Sequence, residues 1–237
     1  MKSPLIVGYK GEIGSFILQG LLRIMPKALD IWCVDVNESK EEVEQRIKVS
    51  DVIFLCVPMQ TTVDWMLQYK ELLMGKIIIE QCSLKEWIYE DDRLQGLNIR
   101  SMHILFRPSQ TPESIDREVA VFLHPQLDND MEFMIQDITK AGSMVWYRNA
   151  KEHDMEMALQ QALVHRTLLT LGDMLKGCKG STFICKRVMQ LSDRIKKGNR
   201  SLYGLIQSNK YLPEHIREIN EKIDNFDINK CLDKGDK

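Results

Sequence analysis

Over the first 148 residues, short apolar runs alternate with stretches whose apolar residues recur at helical spacing. Pro4–Gly8 (Pro-Leu-Ile-Val-Gly) and Leu29–Asp35 (Leu-Asp-Ile-Trp-Cys-Val-Asp) are rich in branched or aromatic residues and predict strands. Asp51–Pro58 and Lys76–Glu80 are continuous apolar runs, of the kind that a parallel sheet buries on both faces. Further strands are predicted near 98–104, 118–123 and 143–148, and helices over Gly11–Met25 and near 40–49, 60–74 and 129–141. Strand and helix in alternation predict a doubly wound α/β domain. From Ala150 the strand signal stops. Helical patterns follow over 150–176, 181–197, 200–209 and 213–224, punctuated by Gly177 or Gly180, Gly198 and Pro213. The expected organisation is an α/β domain over 1–149 and a smaller all-α domain over 150–237, with a polar tail from Asp227.

The first predicted strand runs into Gly8-Tyr9-Lys10-Gly11-Glu12-Ile13-Gly14. Gly11 and Gly14 fit the last two glycines of G-x-G-x-x-G, while Tyr9 holds the first position and Gly8 lies one residue earlier. A dinucleotide fold needs a tight turn there, a bare backbone against the pyrophosphate and a helix N-terminus aimed at it. Asp35 ends the next predicted strand 21 residues after Gly14, where an acidic residue takes the ribose hydroxyls of NAD and repels the extra phosphate of NADP. A turn cap is the competing role for Asp35. The expectation is a Rossmann-type domain binding NAD through Gly8, Tyr9, Gly11, Glu12, Ile13, Gly14 and Asp35. Cys56-Val57-Pro58 and Glu80-Gln81-Cys82-Ser83-Leu84-Lys85 end the third and fourth strands. Loops at those carboxyl ends face the cofactor crevice, which adds Val57, Pro58 and Ser83.

Composition narrows the partners. The formal net charge of -2 and pI of about 6.2 give no electrostatic attraction toward nucleic acid or an anionic membrane. No apolar run approaches the roughly 20 residues of a membrane span, and Met1-Lys2-Ser3-Pro4 opens no signal peptide. The six cysteines show no CxxC spacing and several lie in apolar runs, which points to a reducing, cytoplasmic setting. No His or Cys pair has metal-ligand spacing, so no metal is expected.

At helical spacing Asp154, Ala158, Gln161 and His165 share one face: a carboxylate, a gap, an amide and an imidazole. Such a face suits one wall of a polar pocket. A buried helix that satisfies its polar groups internally is the competing reading. Together with the glycine turn, the pattern Glu152-His153-Asp154-x-x-Met157-Ala158-x-x-Gln161-Ala162-Leu163-x-His165 resembles the prephenate dehydrogenase family.

Other segments carry the same likeness, which extends from Leu5 to about Ile223. Ser83-x-Lys85 is similar to the family's Asp-x-x-Ser-Val-Lys, with Glu80 for Asp and Leu84 for Val. Ser83 is thereby implied in catalysis as well as cofactor binding, although a helix N-cap explains its type equally well. Ser101-Met102-His103-Ile104-Leu105-Phe106-Arg107-Pro108 resembles His-Pro-x-Phe-Gly-Pro, departing at Ile104 and Arg107. The resemblance implies that His103 accepts a hydrogen bond from the substrate's ring hydroxyl as hydride leaves. Its intrinsic proton affinity suits that work. Leu202-Tyr203-x-x-Ile206 anchors a further match that puts Arg194 on the family's substrate-binding arginine and Lys186 on a second basic position, with Arg187 adjacent. An exposed surface arginine is the alternative for Arg194. By the same likeness His165 is a substrate-pocket histidine, Gln161 is beside it, and His153 begins the helix and orients the domain interface. His124 and His215 fall outside every motif.

The resemblance implies NAD-dependent oxidative decarboxylation of prephenate to 4-hydroxyphenylpyruvate in tyrosine biosynthesis, by a homodimer joined through the helical domain. Arogenate or an amino-prephenate is the neighbouring substrate. A non-catalytic descendant that binds a dinucleotide or an aromatic ligand is the rival from another class.

Overall fold

The computed structural model describes residues 3–24, 30–105, 118–119, 144–145, 147–178, 182–198 and 200–226. Its contacts divide the chain into two compact units, Met1–His153 and Asp154–Lys237.

In the first unit β1 (Pro4–Val7), β2 (Trp32–Val34), β3 (Val52–Leu55), β4 (Ile77–Glu80) and β5 (Asn98–Ser101) form one sheet in the order β2-β1-β3-β4-β5. Every pairing in it is parallel, so the α/β reading holds. Leu5, Ile6, Ile53, Phe54, Ile78 and Ile79 are fully buried, as strands covered on both faces demand. The connections include α1 (Glu12–Ile24), α2 (Lys40–Val49), α3 (Met59–Gln68), α4 (Lys70–Leu73) and α5 (Glu86–Tyr89). Ser39 starts α2 with a capping box, in which its hydroxyl accepts from the Glu42 amide and the Glu42 carboxylate returns to the Ser39 amide. The single helix predicted over 60–74 breaks at Tyr69, whose buried ring turns the chain between α3 and α4. Sheet order reverses direction between β1 and β3, the switch point at whose carboxyl ends open α/β sheets bind their ligands. Of the predicted strands at 118–123 and 143–148, the described residues include β6 (Glu118–Val119) and β7 (Met144–Val145). These pair with each other and not with the five-stranded sheet. The helix predicted near 129–141 lies outside the described residues.

A reciprocal cap opens α6 (Ala150–Met157): the Glu152 amide donates to Asn149 Oδ1 at 2.9 Å and the Asn149 amide donates to Glu152 Oε2 at 3.1 Å. His153 therefore does not begin the helix, as the sequence had suggested. The helix begins at Ala150 with Asn149 as its cap, because the Asn149 side-chain oxygen takes one orphan amide of the first turn and the Glu152 carboxylate takes the Asn149 amide in return.

In the second unit a π-helical segment, Ala158–Leu163, leads directly into α7 (Val164–Met174). α8 (Phe183–Lys196), α9 (Arg200–Gln207) and α10 (Leu212–Asp224) follow. Ala162, Leu163, Ile206 and Leu212 form its core. α7 and α8 meet closely at Gly172, where an added Cβ would lie 2.2 Å from Ser192 Oγ. No helix among the described residues is long and apolar enough to cross a membrane.

Candidate active site

Gly8 ends β1 with φ +81°, and a Cβ there would stand 2.6 Å from Cys56 O on the neighbouring strand. The positive φ that a tight turn needs thus sits on Gly8, which leaves Tyr9 free to occupy the motif's usual glycine position. The Gly11 amide donates back to Gly8 O at 3.1 Å and closes the turn. At Gly14 a Cβ would meet Gly8 O at 2.2 Å, so this glycine lets α1 seat directly on the turn. The first intrahelical bond is Ser15 N–H to Gly11 O, 2.9 Å, so the amides of Glu12, Ile13 and Gly14 precede the hydrogen-bonded ladder. They form an anion-binding N-terminus of the kind a pyrophosphate occupies.

Asp35 reaches that turn. Its Oδ2 accepts from the Lys10 amide at 2.9 Å and its Oδ1 from the Val36 amide at 2.9 Å. Its own amide donates to Glu38 Oε2 at 2.6 Å. Asp35 braces the glycine turn, and each carboxylate oxygen keeps a lone pair for a further donor. Val57 and Pro58 lie between β3 and α3, with Pro58 exposed at the N-cap of α3.

The carboxyl ends of β4 and β5 carry a buried polar network. Lys85 and Glu80 are both fully buried, and Lys85 Nζ stands 2.9 Å from Glu80 Oε1. Lys85 also donates to Met102 O at 3.2 Å, and the Cys82 amide donates to Glu80 Oε2 at 2.6 Å. The Ser101 hydroxyl donates to Glu80 and shares a 3.0 Å hydrogen bond with the Tyr89 hydroxyl. Burial pushes the Cys82 thiol well up, and it donates to Thr62 Oγ1 at 3.3 Å. Ser83 is buried beside this network. It does not cap α5, whose N-cap position is Lys85.

Two residues past β5, His103 is buried, and its Nδ1 lies 2.9 Å from Nε2 of His153, which is also buried. Burial, then the neighbouring His153 and Lys85, holds the His103 imidazole well below the usual 6.5. Burial and Lys85 take His153 down to about 3. Both rings are neutral at physiological pH. Ile104, where the resembling motif has proline, is buried in the sheet core with Met102. Phe106, Arg107, Pro108 and His124 lie outside the described residues.

In the second unit Gln161 lies within the π-helical segment and His165 in the first turn of α7. Gln161 Oε1 and His165 Nδ1 are buried and have no hydrogen-bond partner among the described residues. The Tyr203 ring meets the His165 ring edge-on, centroids 5.1 Å apart at 81°, and rests against Gly198, where a Cβ would come within 2.5 Å of it. Burial lowers the proton affinity of His165. Asp154 and Ala158 are buried. The predicted face is not one regular helix, however, because the π turn widens the spacing between Ala158 and Leu163. Gln207 Nε2 donates to Ala162 O at 2.8 Å and satisfies a carbonyl within the turn. Arg194 and Lys186 are both exposed on α8.

This fold recurs in solved structures. The arogenate dehydrogenase of Synechocystis matches with a TM-score of 0.65 at 16% identity over 94% of this chain and 89% of that one. The prephenate dehydrogenase of A. aeolicus, in complex with hydroxyphenyl propionate and NAD+, matches at 0.69 and 17% over 94% and 88%. A putative prephenate dehydrogenase of Corynebacterium glutamicum matches at 0.68 and 20% over 98% and 86%. The chain has the fold of the prephenate and arogenate dehydrogenases. No family model matches it, and no curated protein matches it in sequence.

Within that fold the turn, Asp35, Ser83 and His103 all fall at carboxyl ends of the five-stranded sheet. Sequence reasoning missed three buried contacts: Lys85 as the counter-ion of Glu80, Ser101 as a further partner of Glu80, and His153 as the partner of His103. A signal existed for all three, since each lies in a segment the resemblance had already singled out.

Proposed function

We propose that the chain is an NAD-dependent dehydrogenase that oxidatively decarboxylates prephenate to 4-hydroxyphenylpyruvate in tyrosine biosynthesis. The observation that carries the reading is His103: a buried, neutral imidazole at the end of β5, in the same sheet whose β1 ends in the glycine turn. Three strand spacings of about 4.8 Å separate β1 from β5. A dinucleotide whose pyrophosphate sat on the amides of Glu12, Ile13 and Gly14 would extend across β3 and β4 toward His103. Gly8, Tyr9, Gly11, Val57, Pro58 and Ser83 would line its path, and Asp35 would take the ribose hydroxyls.

The bound dinucleotide supplies the hydride acceptor. The chain's part is to orient the substrate and receive its hydroxyl proton at His103. Aromatisation of the ring after loss of carbon dioxide makes the step strongly downhill, so positioning is the main demand on the protein. Gln161, His165, Lys186 and Arg194 are the proposed substrate contacts, with Arg194 suited to a substrate carboxylate by its planar fork. Two such folds are named for prephenate and one for arogenate, so arogenate is the companion substrate in the test. A homodimer through the helical unit is part of the proposal. Its basis is the apolar surface of α7 and α8, where Met174, Phe183 and Ile184 are each more than 70% exposed.

The test is product analysis after incubation with prephenate or arogenate and either NAD or NADP. The proposal expects 4-hydroxyphenylpyruvate from prephenate with NAD, and a narrowed preference for NAD over NADP in Asp35→Ala. Dinucleotide binding without product from either substrate would favour the non-catalytic descendant.

A further inference from the structure

The contact between His103 and His153 is between two ring nitrogens, and that restricts the protons more than a contact to a carbonyl or carboxylate would. At 2.9 Å one nitrogen carries the hydrogen and the other presents a lone pair. Two imidazolium rings would set hydrogen against hydrogen. With both rings neutral, two arrangements remain. In one, His103 Nδ1–H donates to His153 Nε2, and His103 Nε2 is an acceptor. In the other, His153 Nε2–H donates to His103 Nδ1, and His103 Nε2 carries a hydrogen. Only the first leaves His103 able to receive a hydroxyl proton. The tilt of 59° between rings 5.1 Å apart is that of an edge-on bond and not of a stack.

We propose that His153 is a positioning residue that holds His103 in the Nδ1–H tautomer, so that His103 Nε2 presents the lone pair to the substrate hydroxyl. The inference rests on the dehydrogenase reading for its consequence, but the tautomer itself is a property of the protein alone. His153 does in this pair what a carboxylate or carbonyl does for a catalytic histidine elsewhere, fixing ring orientation and proton location together. A neutral imidazole in that role adds no negative charge to the buried space that already holds the Glu80–Lys85 pair. As the hydroxyl proton arrives at His103 Nε2, the Nδ1 hydrogen is shared toward His153 Nε2, which spreads the developing positive charge over two rings. The position of His153 in the chain suits the task. It sits in the first turn of α6, which the Asn149–Glu152 cap fixes in place.

The test combines a spectroscopic readout with kinetics. Nitrogen-15 correlation spectra of the histidine rings, on the unliganded wild-type protein, report which nitrogen of His103 is bonded to hydrogen; His103→Asn assigns the signals. The proposal expects hydrogen on Nδ1 and a bare Nε2. In His153→Phe the His103 signals should move toward a mixture of tautomers, and kcat should fall about 10- to 100-fold with the substrate KM within about threefold. His153→Gln, whose side-chain oxygen can accept from Nδ1–H, should restore the tautomer and most of kcat. A wild-type spectrum with hydrogen on His103 Nε2 overturns the proposal, and so does a His153→Phe variant with wild-type kcat. If the spectrum shows the expected tautomer and no substrate is turned over, the dehydrogenase reading has failed and the positioning role of His153 stands.

Discussion

His103 and His153 lie 50 residues apart in the chain and meet through one hydrogen bond, so neither ring can be understood from its own neighbours in sequence. The pairing has a thermodynamic signature. Unfolded, each ring would take a proton as pH falls through about 6.5; folded, His103 stays neutral well below that and His153 down to about 3. Below 6.5 the unfolded chain therefore binds more protons, and stability present above that pH is lost as pH falls, by up to about 1.4 kcal/mol per pH unit for each ring. Urea unfolding followed from pH 7 to pH 5 should show a slope of about two protons from this pair, to which His165, also lowered by burial, adds, and His153→Gln should remove about one of them. A flat profile over that range would mean that the rings are not buried neutral. Arg194 offers a second test at this scale. If it holds a carboxylate present in both ground and transition states, Arg194→Gln should raise KM about 10-fold or more and leave kcat nearly unchanged. A KM within twofold of wild type would make it a surface charge, which its exposure on α8 also allows. Single residues were the least legible part of the sequence. Asp35 announced itself by its spacing from the glycines. Lys85 lay in a quoted motif but its buried role did not show, because lysine is almost never fully buried without a partner and its partner Glu80 is visible only once the strand ends are placed.

The glycine turn gives the sharpest test among the elements. Gly8→Ala must adopt a positive φ and meet Cys56 O, and Gly14→Ala drives a methyl into Gly8 O; each should cost about 2 kcal/mol or more. Gly11→Ala approaches Gly8 O only to 3.3 Å and should remain within about 1 kcal/mol of wild type while weakening dinucleotide binding. Denaturation midpoints for the three variants settle the order, and a Gly11→Ala protein as unstable as Gly14→Ala would contradict this account of the turn. The strands of the parallel sheet were legible because residues buried on both faces leave continuous apolar runs, as at Ile77–Glu80. The π-helical segment was not. Burial of Asp154, Ala158 and Ala162 follows ordinary helical spacing closely enough to hide one widened turn, which depends on Gln207 from another helix for one of its carbonyls.

For the molecule as a whole, the alternation of strand and helix followed by helix alone made the α/β fold class readable before any coordinates. The assembly is a separate matter, decided by what covers the exposed apolar residues of α7 and α8. Light scattering should give twice the chain mass, and Ile184→Glu should shift the protein toward the monomer by setting charge in an apolar interface. A monomeric wild-type protein would contradict the proposed dimer. The central claim is that His103 performs the proton chemistry of an NAD-linked oxidation, and its most direct test is the rate of NADH absorbance growth in wild type and His103→Asn at saturating prephenate and NAD. The account predicts measurable turnover in the wild type and a kcat lower by about 10²-fold or more in the variant, with substrate affinity little changed. Equal kcat in the two proteins would contradict it.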